Sequence, residues 1–184
     1  ATISWDEDAL HLSCRVTDDV HVSDANDEDL YENDSLQVYF DFRPASRQDS
    51  TFAPGVAGFI LAPDAQRRSV RVEAITGSRE LANRDLAAAW FTTEAVEATV
   101  EPTGERGGYL LEARFPYASL GVESLRAGAV FRADLSLSDN DGNWYRTHQL
   151  VWSGARGYRR CYLRWAYLDP AGYGWVLVVD PKNV

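Results

Sequence analysis

The stretch YENDSLQVYFD, residues 31–41, decides the fold of this chain of 184 residues. It is an acidic loop that runs directly into a segment with an apolar residue at every second position. Leu36, Val38 and Phe40 fall on one side of an extended chain, and Gln37 and Tyr39 fall on the other. Because side chains alternate between the two faces of a strand, the pattern predicts a strand with one buried and one polar face.

The same alternation recurs along the chain, between short segments rich in Gly, Asp and Asn. Ten segments are predicted to be strands: 10–17, 35–42, 56–61, 69–74, 93–101, 108–115, 129–138, 145–152, 161–166 and 174–179. Residues 78–89 are the best candidate for a helix. Many short alternating strands predict an all-β fold, an antiparallel β-sandwich. We expect residues 1–184 to form a single domain, because this length suits one hydrophobic core.

The composition excludes several classes of function. The net charge is −10, from 28 acidic and 18 basic residues, so the chain repels phosphate backbones and we expect no nucleic-acid partner. No run of 18 apolar residues is present, so no membrane span is expected. The sequence contains neither a phosphate-binding loop nor a dinucleotide fingerprint, which argues against a nucleotide cofactor.

Several segments, taken in order, resemble carbohydrate-binding module family nine and its DOMON-like relatives. They are Trp5-Asp6, Asp18-Asp19, the stretch 31–41, Gly108-Tyr109, the strand that ends in Asp139-Asn140-Asp141, Trp152-Ser153, Trp165 and Tyr173-Gly174. The resemblance implies a noncatalytic β-sandwich that binds carbohydrate. Members usually carry about 40 more residues before the Trp-Asp motif, so we expect a fragment or a domain that lacks the first strands.

The resemblance also implies a ligand site, in which two Trp rings sandwich a sugar while a Glu, an Arg and a Gln bind its hydroxyl groups. By position, Tyr31 and Trp165 correspond to the two Trp residues. Gln37 stands at the Glu position and Ser136 at the Gln position. The Arg position falls near residues 59–60, where the sequence has no Arg.

The residues themselves add a second set of candidates. Trp144 follows a hairpin-turn signal and is expected to be exposed, which makes it an alternative platform for a sugar. Glu112, Arg114 and Asp134 lie on the polar sides of their strands, and they would share one polar surface with Gln37 if the strands are neighbours. Glu112 and Asp134 also carry the enzyme alternative, as a pair of glycosidase carboxylates. A solvated face with cross-strand ion pairs explains the same residues.

The acidic loops suggest a metal cofactor. Asp18, Asp19 and Asp34 could hold calcium, which takes six to eight oxygen ligands, and a solvated acidic surface is the simpler alternative. Haem is not expected, because the chain has no Met to complete the Met/His axial pair found in some DOMON-like relatives. Whether Cys14 and Cys161 form a disulfide stays open, since a buried free thiol packs equally well.

We therefore interpret the chain as a noncatalytic carbohydrate-binding module that recognises a glycan through exposed aromatics and a polar strand face. We expect it to act outside the cytoplasm, at the cell surface or in the medium, with other modules of a larger polypeptide as partners. The alternatives are a glycoside hydrolase or lyase on the same fold, and a structural or protein-binding sandwich. Exposed aromatic faces favour the binder, whereas a cleft with paired carboxylates favours the enzyme.

Overall fold

In the described part of the chain, ten antiparallel strands form two sheets that pack face to face. The computed structural model describes residues 1–24, 29–47, 53–75, 90–104, 107–153 and 173–179. The strands are β1 (Thr2–Trp5), β2 (Ala9–Val16), β3 (Ser35–Asp41), β4 (Val56–Asp64), β5 (Ser69–Ala74), β6 (Glu97–Pro102), β7 (Tyr109–Pro116), β8 (Val130–Asp139), β9 (His148–Val151) and β10 (Gly174–Leu177). Two 3₁₀ turns, Leu30–Glu32 and Ala45–Arg47, and one short helix, α1 (Tyr117–Leu120), complete the described elements.

The strand order places β3 and β8 at the centre of the larger sheet. The four-stranded sheet has the order β1-β2-β7-β6, and the six-stranded sheet has the order β10-β8-β3-β4-β5. Strand β9 also pairs with β8, at residues 136–139, whereas β10 pairs with residues 130–133. The antiparallel β-sandwich predicted from the sequence is confirmed.

The core lies between the two sheets and is rich in aromatic rings. Phe115 on β7 contacts Phe40 and Phe59 on the facing sheet, with ring centres 5.5 Å and 5.1 Å away. Alternate residues of β3, β7 and β8 are buried there together: Leu36, Val38, Phe40, Tyr109, Leu111, Phe131 and Leu135. Burial of such rings supplies much of the stability of a sandwich, since each removes a large apolar surface from water.

A second apolar cluster covers the outer face of the six-stranded sheet. It contains Leu30, Tyr39, Val56, Ile60, Ala62, Ile75 and Tyr173, with Tyr31 packed against it. As a result β3 is buried on both faces, and Gln37 and Tyr39 are only 4% and 1% exposed. The expectation that the polar face of this strand meets solvent is wrong, because the 3₁₀ turn Leu30–Glu32 and Tyr173 contribute side chains that cover it.

Several elements differ from the sequence-based expectation. Strand β1 was not expected, because four residues give too short a pattern to recognise. Strand β9 begins at His148 rather than at residue 145, since the Asn140 side chain binds the backbone of Gly142 and Asn143 and prolongs the turn. Strand β6 begins at Glu97 rather than at residue 93. The predicted strand 161–166 and the candidate helix 78–89 lie outside the described residues.

None of the helices in the described parts of the chain has the length and apolar character needed to cross a lipid bilayer.

Candidate functional site

The polar side chains that the sequence placed on one surface are divided between the two outer faces of the sandwich. Glu112 and Arg114 lie on β7, in the four-stranded sheet. Gln37, Asp134 and Ser136 lie on β3 and β8, in the six-stranded sheet, where Gln37 and Ser136 are cross-strand partners. The prediction of one shared surface is therefore wrong, because both sheets and the core separate the two groups.

The same division removes the predicted pair of catalytic carboxylates. Glu112 is exposed on the outer face of the four-stranded sheet, and Asp134 is buried beyond the six-stranded sheet. Sheets in a sandwich pack about 10 Å apart, and side chains that point away from both sheets are farther apart still. Paired glycosidase carboxylates are separated by roughly 5–9.5 Å. Glu112 and Asp134 cannot act as such a pair.

The outer face of the six-stranded sheet does bring Gln37 and Ser136 together, inside a hydrogen-bonded network. The Tyr39 hydroxyl donates to Gln37 Oε1 at 2.6 Å, and Gln37 Nε2 donates to Ser138 Oγ at 3.2 Å. Gln149 Nε2 donates to Ser136 Oγ from the neighbouring strand β9. Each of these buried polar groups has a partner, so the network holds its members in fixed positions.

Arg146 connects this network to Tyr31, the predicted aromatic residue. Its Nη1 donates to Ser138 Oγ at 3.2 Å and, at 3.4 Å, to the backbone carbonyl of Tyr31. The guanidinium carbon lies 5.3 Å from the centre of the Tyr31 ring, within the range of a cation–π contact. Glu32 fixes the same loop, because its Oε2 accepts the backbone N–H of Arg146. Tyr31 and Arg146 are both half-buried and form the rim of the site.

Sequence reasoning missed Arg146 and Gln149. It looked for an Arg near residues 59–60, and the structure shows Ile60 there, directly across from Gln37 and 8% exposed. The arginine comes instead from the loop after β8. The hairpin signal at residues 141–143 was the available clue, since a hairpin returns the chain alongside β8 and thus beside Ser136 and Ser138. We refer to Tyr31, Gln37, Ser136, Ser138, Arg146 and Gln149 as the Tyr31–Arg146 site.

Asp134 lies on the same face and is bound to the segment that follows β9. Its Oδ2 accepts the hydroxyl of Ser153 at 2.7 Å, and its Oδ1 accepts the backbone N–H groups of Ser153 and Leu135. Burial raises the pKa of the Asp134 carboxyl, although these hydrogen bonds oppose the rise. Asp134 therefore fastens the chain after β9 to β8, a structural role.

The exposed aromatic residues lie along the same edge of the sheet. Trp144 and Tyr145 in the loop between β8 and β9 are 76% and 68% exposed. Trp152 and Trp175 are 56% and 57% exposed. Trp144 is thus solvent-facing, as the sequence predicted. Trp165, the second predicted sandwich residue, lies outside the described residues.

Glu112 and Arg114 line a separate polar groove on the four-stranded sheet. The groove has a volume of about 430 Å³ and is also lined by His11, Ser13 and Thr99. The register places Ser13 opposite Glu112 and His11 opposite Arg114. None of its lining residues among those that the structure describes is Trp, Tyr or Phe, so these residues offer a ligand hydrogen bonds rather than a stacking surface.

The predicted metal ligands are brought together only in part. Asp18 and Asp34 lie within ligand distance of each other, joined by His21, whereas Asp19 is exposed and outside the group. Burial raises the pKa of the Asp18 carboxyl, and the negative charges of Asp34 and Asp139 add to the rise. Neighbouring carboxylates that repel one another favour a bound cation.

Cys14 is buried in the core, where burial raises the pKa of its thiol, and it forms no disulfide with any described residue. A raised pKa keeps the thiol protonated at neutral pH and therefore unreactive. Cys161 lies outside the described residues, so the pairing of the two cysteines stays a sequence-based question.

Comparison with known proteins identifies relatives of this architecture. A family model described as "Carbohydrate family 9 binding domain-like" matches residues 1–180. No curated protein sequence matches the chain significantly.

Three solved structures share the fold at low sequence identity. A carbohydrate-binding module of family 9 from Caldicellulosiruptor kristjanssonii in complex with glucose has a TM-score of 0.70 and 15% identity, over 99% of this chain and 77% of that chain. A carbohydrate-binding module of family 9 from the same organism in complex with cellotriose has a TM-score of 0.69 and 14% identity, over 99% of this chain and 76% of that chain. A putative carbohydrate-binding protein from Bacteroides uniformis has a TM-score of 0.56 and 14% identity, over 96% of this chain and 76% of that chain.

Proposed function

The chain belongs to the carbohydrate family 9 binding domain-like family, and from that membership we propose that it is a noncatalytic module whose glycan binds at the Tyr31–Arg146 site. The observation that carries the proposal is the continuous series of contacts from Gln37 through Ser138 to Arg146 and Tyr31. It joins the residues that correspond to the family's ligand site to an arginine that the sequence comparison could not find.

The chemistry of the rim suits a sugar. The Tyr31 ring supplies an apolar face for the C–H groups of a pyranose, and its electron-rich surface favours slightly positive hydrogens. Arg146 and Gln149, both half-buried, present planar groups that pair with hydroxyl oxygens. Gln37 and Ser136 are 4% and 1% exposed, so they act behind the rim by fixing Arg146 and Gln149 in place.

The two other classes of function receive less support. The enzyme alternative depended on Glu112 and Asp134, which lie on opposite faces of the sandwich. A structural or protein-binding sandwich needs no fixed polar network beside an aromatic ring. The network observed here favours a ligand site, because it holds the Arg146 guanidinium beside the Tyr31 ring at the rim.

Isothermal titration calorimetry with glucose and cellotriose tests the proposal, because family 9 structures contain these two ligands. Tyr31→Ala should weaken binding by about fivefold or more, since loss of one aromatic contact removes about 1 kcal/mol or more. Tyr145→Ala is the matched control: it removes an exposed Tyr from the neighbouring loop and should leave binding unchanged.

Two results would contradict the proposal. Equal losses in the Tyr31→Ala and Tyr145→Ala variants would place the sugar on the exposed loop. Binding that neither variant affects would exclude the Tyr31–Arg146 site. If neither sugar binds, a glycan array with the unmodified chain decides whether it binds another carbohydrate or none. Absence of new reducing ends after incubation with cellotriose would agree with a noncatalytic role.

We also propose that the module is secreted and works beside other modules of a larger polypeptide, because glycan polymers are encountered outside the cytoplasm. Recovery of the protein from the medium of the cells that produce it checks this, and its confinement to the cytoplasm would contradict it.

A further inference from the structure

Three potential metal ligands converge between the end of β2 and the start of β3. One ligand atom each from Asp18, His21 and Asp34 lies within 4.8 Å of the other two. The side chains of His21 and Asp34 are 8% and 2% exposed. Three atoms at this spacing fit around a single ion, whose bonds to nitrogen and oxygen are roughly 2.0–2.4 Å long.

The His21 ring is held in the orientation that a metal ligand requires. Its Nε2 lies 3.1 Å from the carbonyl oxygen of Pro63, closer than the backbone nitrogen of Ala65 at 3.4 Å. We therefore place one imidazole proton on Nε2, donating to Pro63, which leaves Nδ1 facing Asp34 as the nitrogen that can bind a metal ion when it is not protonated. Metal-binding histidines typically donate their second ring N–H to a carbonyl or carboxylate in this way.

Nδ1 of His21 is a buried nitrogen that makes no hydrogen bond in the described part of the chain. It points to Oδ2 of Asp34, 3.4 Å away. This spacing calls for a positive charge between the two atoms, which is either a proton on Nδ1, giving an ion pair with Asp34, or a metal ion in its place. Asp34 is itself fixed, because its two oxygens accept the backbone N–H groups of Val22 and Asn140. Each of those oxygens keeps a second lone pair for an ion.

The surroundings supply more negative charge and a second buried polar group without a partner. The carboxylates of Asp34 and Asp139 both act electrostatically on Asp18. The Tyr109 ring packs edge-on against His21 at 5.1 Å, and its buried hydroxyl finds no hydrogen-bond partner among the described residues. Burying these carboxylates and the unpaired hydroxyl without a positive charge costs free energy of folding, and a bound divalent cation offsets that cost.

We propose that Asp18, His21 and Asp34 bind a divalent transition metal ion of the Zn²⁺ type, with Nδ1 of His21 as the nitrogen ligand. Imidazole suits Zn²⁺, whereas Ca²⁺ takes oxygen ligands. The calcium set expected from the sequence included Asp19, and His21 takes its place in the structure. The ion would join the segment after β2 to the start of β3, close to the Tyr31–Arg146 site but independent of its ligand.

Thermal unfolding of the whole chain tests the proposal. The protein is treated with a chelator, dialysed, and melted alone, with ZnCl₂ or with CaCl₂. An ion that binds only the folded state stabilises it, so saturating Zn²⁺ should raise Tm by on the order of 5 °C, and calorimetry should give one ion per chain. Ca²⁺ should have a much smaller effect.

Matched variants assign the effect to this cluster. His21→Asn and Asp18→Asn should abolish the Zn²⁺-dependent rise in Tm, and Asp19→Asn should retain it because that exposed carboxylate lies outside the group. His148→Asn controls for the second group of potential ligands, Asp139, Asp141 and His148. The metal-free Tm of each variant shows whether the substitution itself unfolds the protein.

Three outcomes would overturn the proposal. One is a wild-type Tm that Zn²⁺ leaves unchanged. Another is stabilisation by Ca²⁺ that equals that by Zn²⁺ and persists in His21→Asn. The third is a Zn²⁺ effect that is lost in His148→Asn but kept in His21→Asn, which would move the ion to the hairpin between β8 and β9.

Discussion

The guanidinium carbon of Arg146 lies 5.3 Å from the centre of the Tyr31 ring. The same guanidinium donates hydrogen bonds to the hydroxyl of Ser138 and to the carbonyl of Tyr31. One residue thus joins the loop after β8 to the 3₁₀ turn before β3 and holds the aromatic ring against the polar network. The position of the ring in the Tyr31–Arg146 site therefore depends on Arg146.

Arg146→Ala should weaken cellotriose binding by about tenfold, because it removes a hydrogen-bonding group and releases the Tyr31 ring. Arg146→Lys keeps the charge but not the planar fork, so it should recover only part of the loss. Calorimetry measures both, with thermal melting as the control for folding. Full binding by the Lys variant would show that charge alone matters at this position.

Gly121→Ala should destabilise the fold by about 2 kcal/mol or more. Gly121 ends α1 with φ +70°, and an added Cβ would lie 1.9 Å from the carbonyl oxygen of Trp90, whose indole binds the backbone of Val56 at 2.9 Å. Gly128→Ala is the control, since φ is +88° there but nothing lies within 4 Å, so only the backbone strain of about 1 kcal/mol is expected. Urea unfolding measures both, and equal losses would contradict the steric explanation.

The core could be predicted from the sequence because the inner face of each strand has an apolar residue at every second position. Leu36, Val38 and Phe40 are buried as expected. Alternation assigns a side chain to one face of its own strand, but it does not tell which sheet the strand joins. Glu112 and Asp134 were therefore placed together although β7 and β8 belong to different sheets.

Only part of the site could be predicted from the sequence, and the arginine from the loop after β8 could not. Gln37 and Ser136 share a face because their strands pair, which the family motif implied. Arg146 and His21 lie in loops, whose paths depend on contacts between residues far apart in sequence. The hydrogen bond from Asn140 to Asp34, 106 positions away, is one such contact. The cover over Tyr39 was equally hidden, since it includes Tyr173 from the far end of the chain.

The pH dependence of stability should carry a contribution from Asp134. Burial raises the pKa of its carboxyl above the ordinary value of 3.8. As pH rises from 3.8 through the raised pKa, the unfolded chain loses the Asp134 proton before the folded protein does. The free energy of unfolding therefore decreases over this pH window, and the contribution of Asp134 is constant above it. The Asp134→Asn variant should not show this decrease in the free energy of unfolding, because its side chain does not titrate. Urea unfolding of both proteins at several pH values measures it, and parallel pH profiles would contradict the assignment.

Trp144→Ala should change neither stability nor binding of cellotriose. The side chain is 76% exposed, so its removal opens no cavity, and surface substitutions of this kind usually alter the free energy of unfolding by less than about 0.5 kcal/mol. The ring stands on the loop that also carries Arg146, yet none of the contacts that build the Tyr31–Arg146 site involves it. Calorimetry of Trp144→Ala beside Tyr31→Ala therefore separates the two candidate platforms. A larger loss of affinity in Trp144→Ala than in Tyr31→Ala would move the sugar to the tip of the hairpin and leave the polar network as a structural feature of the sheet.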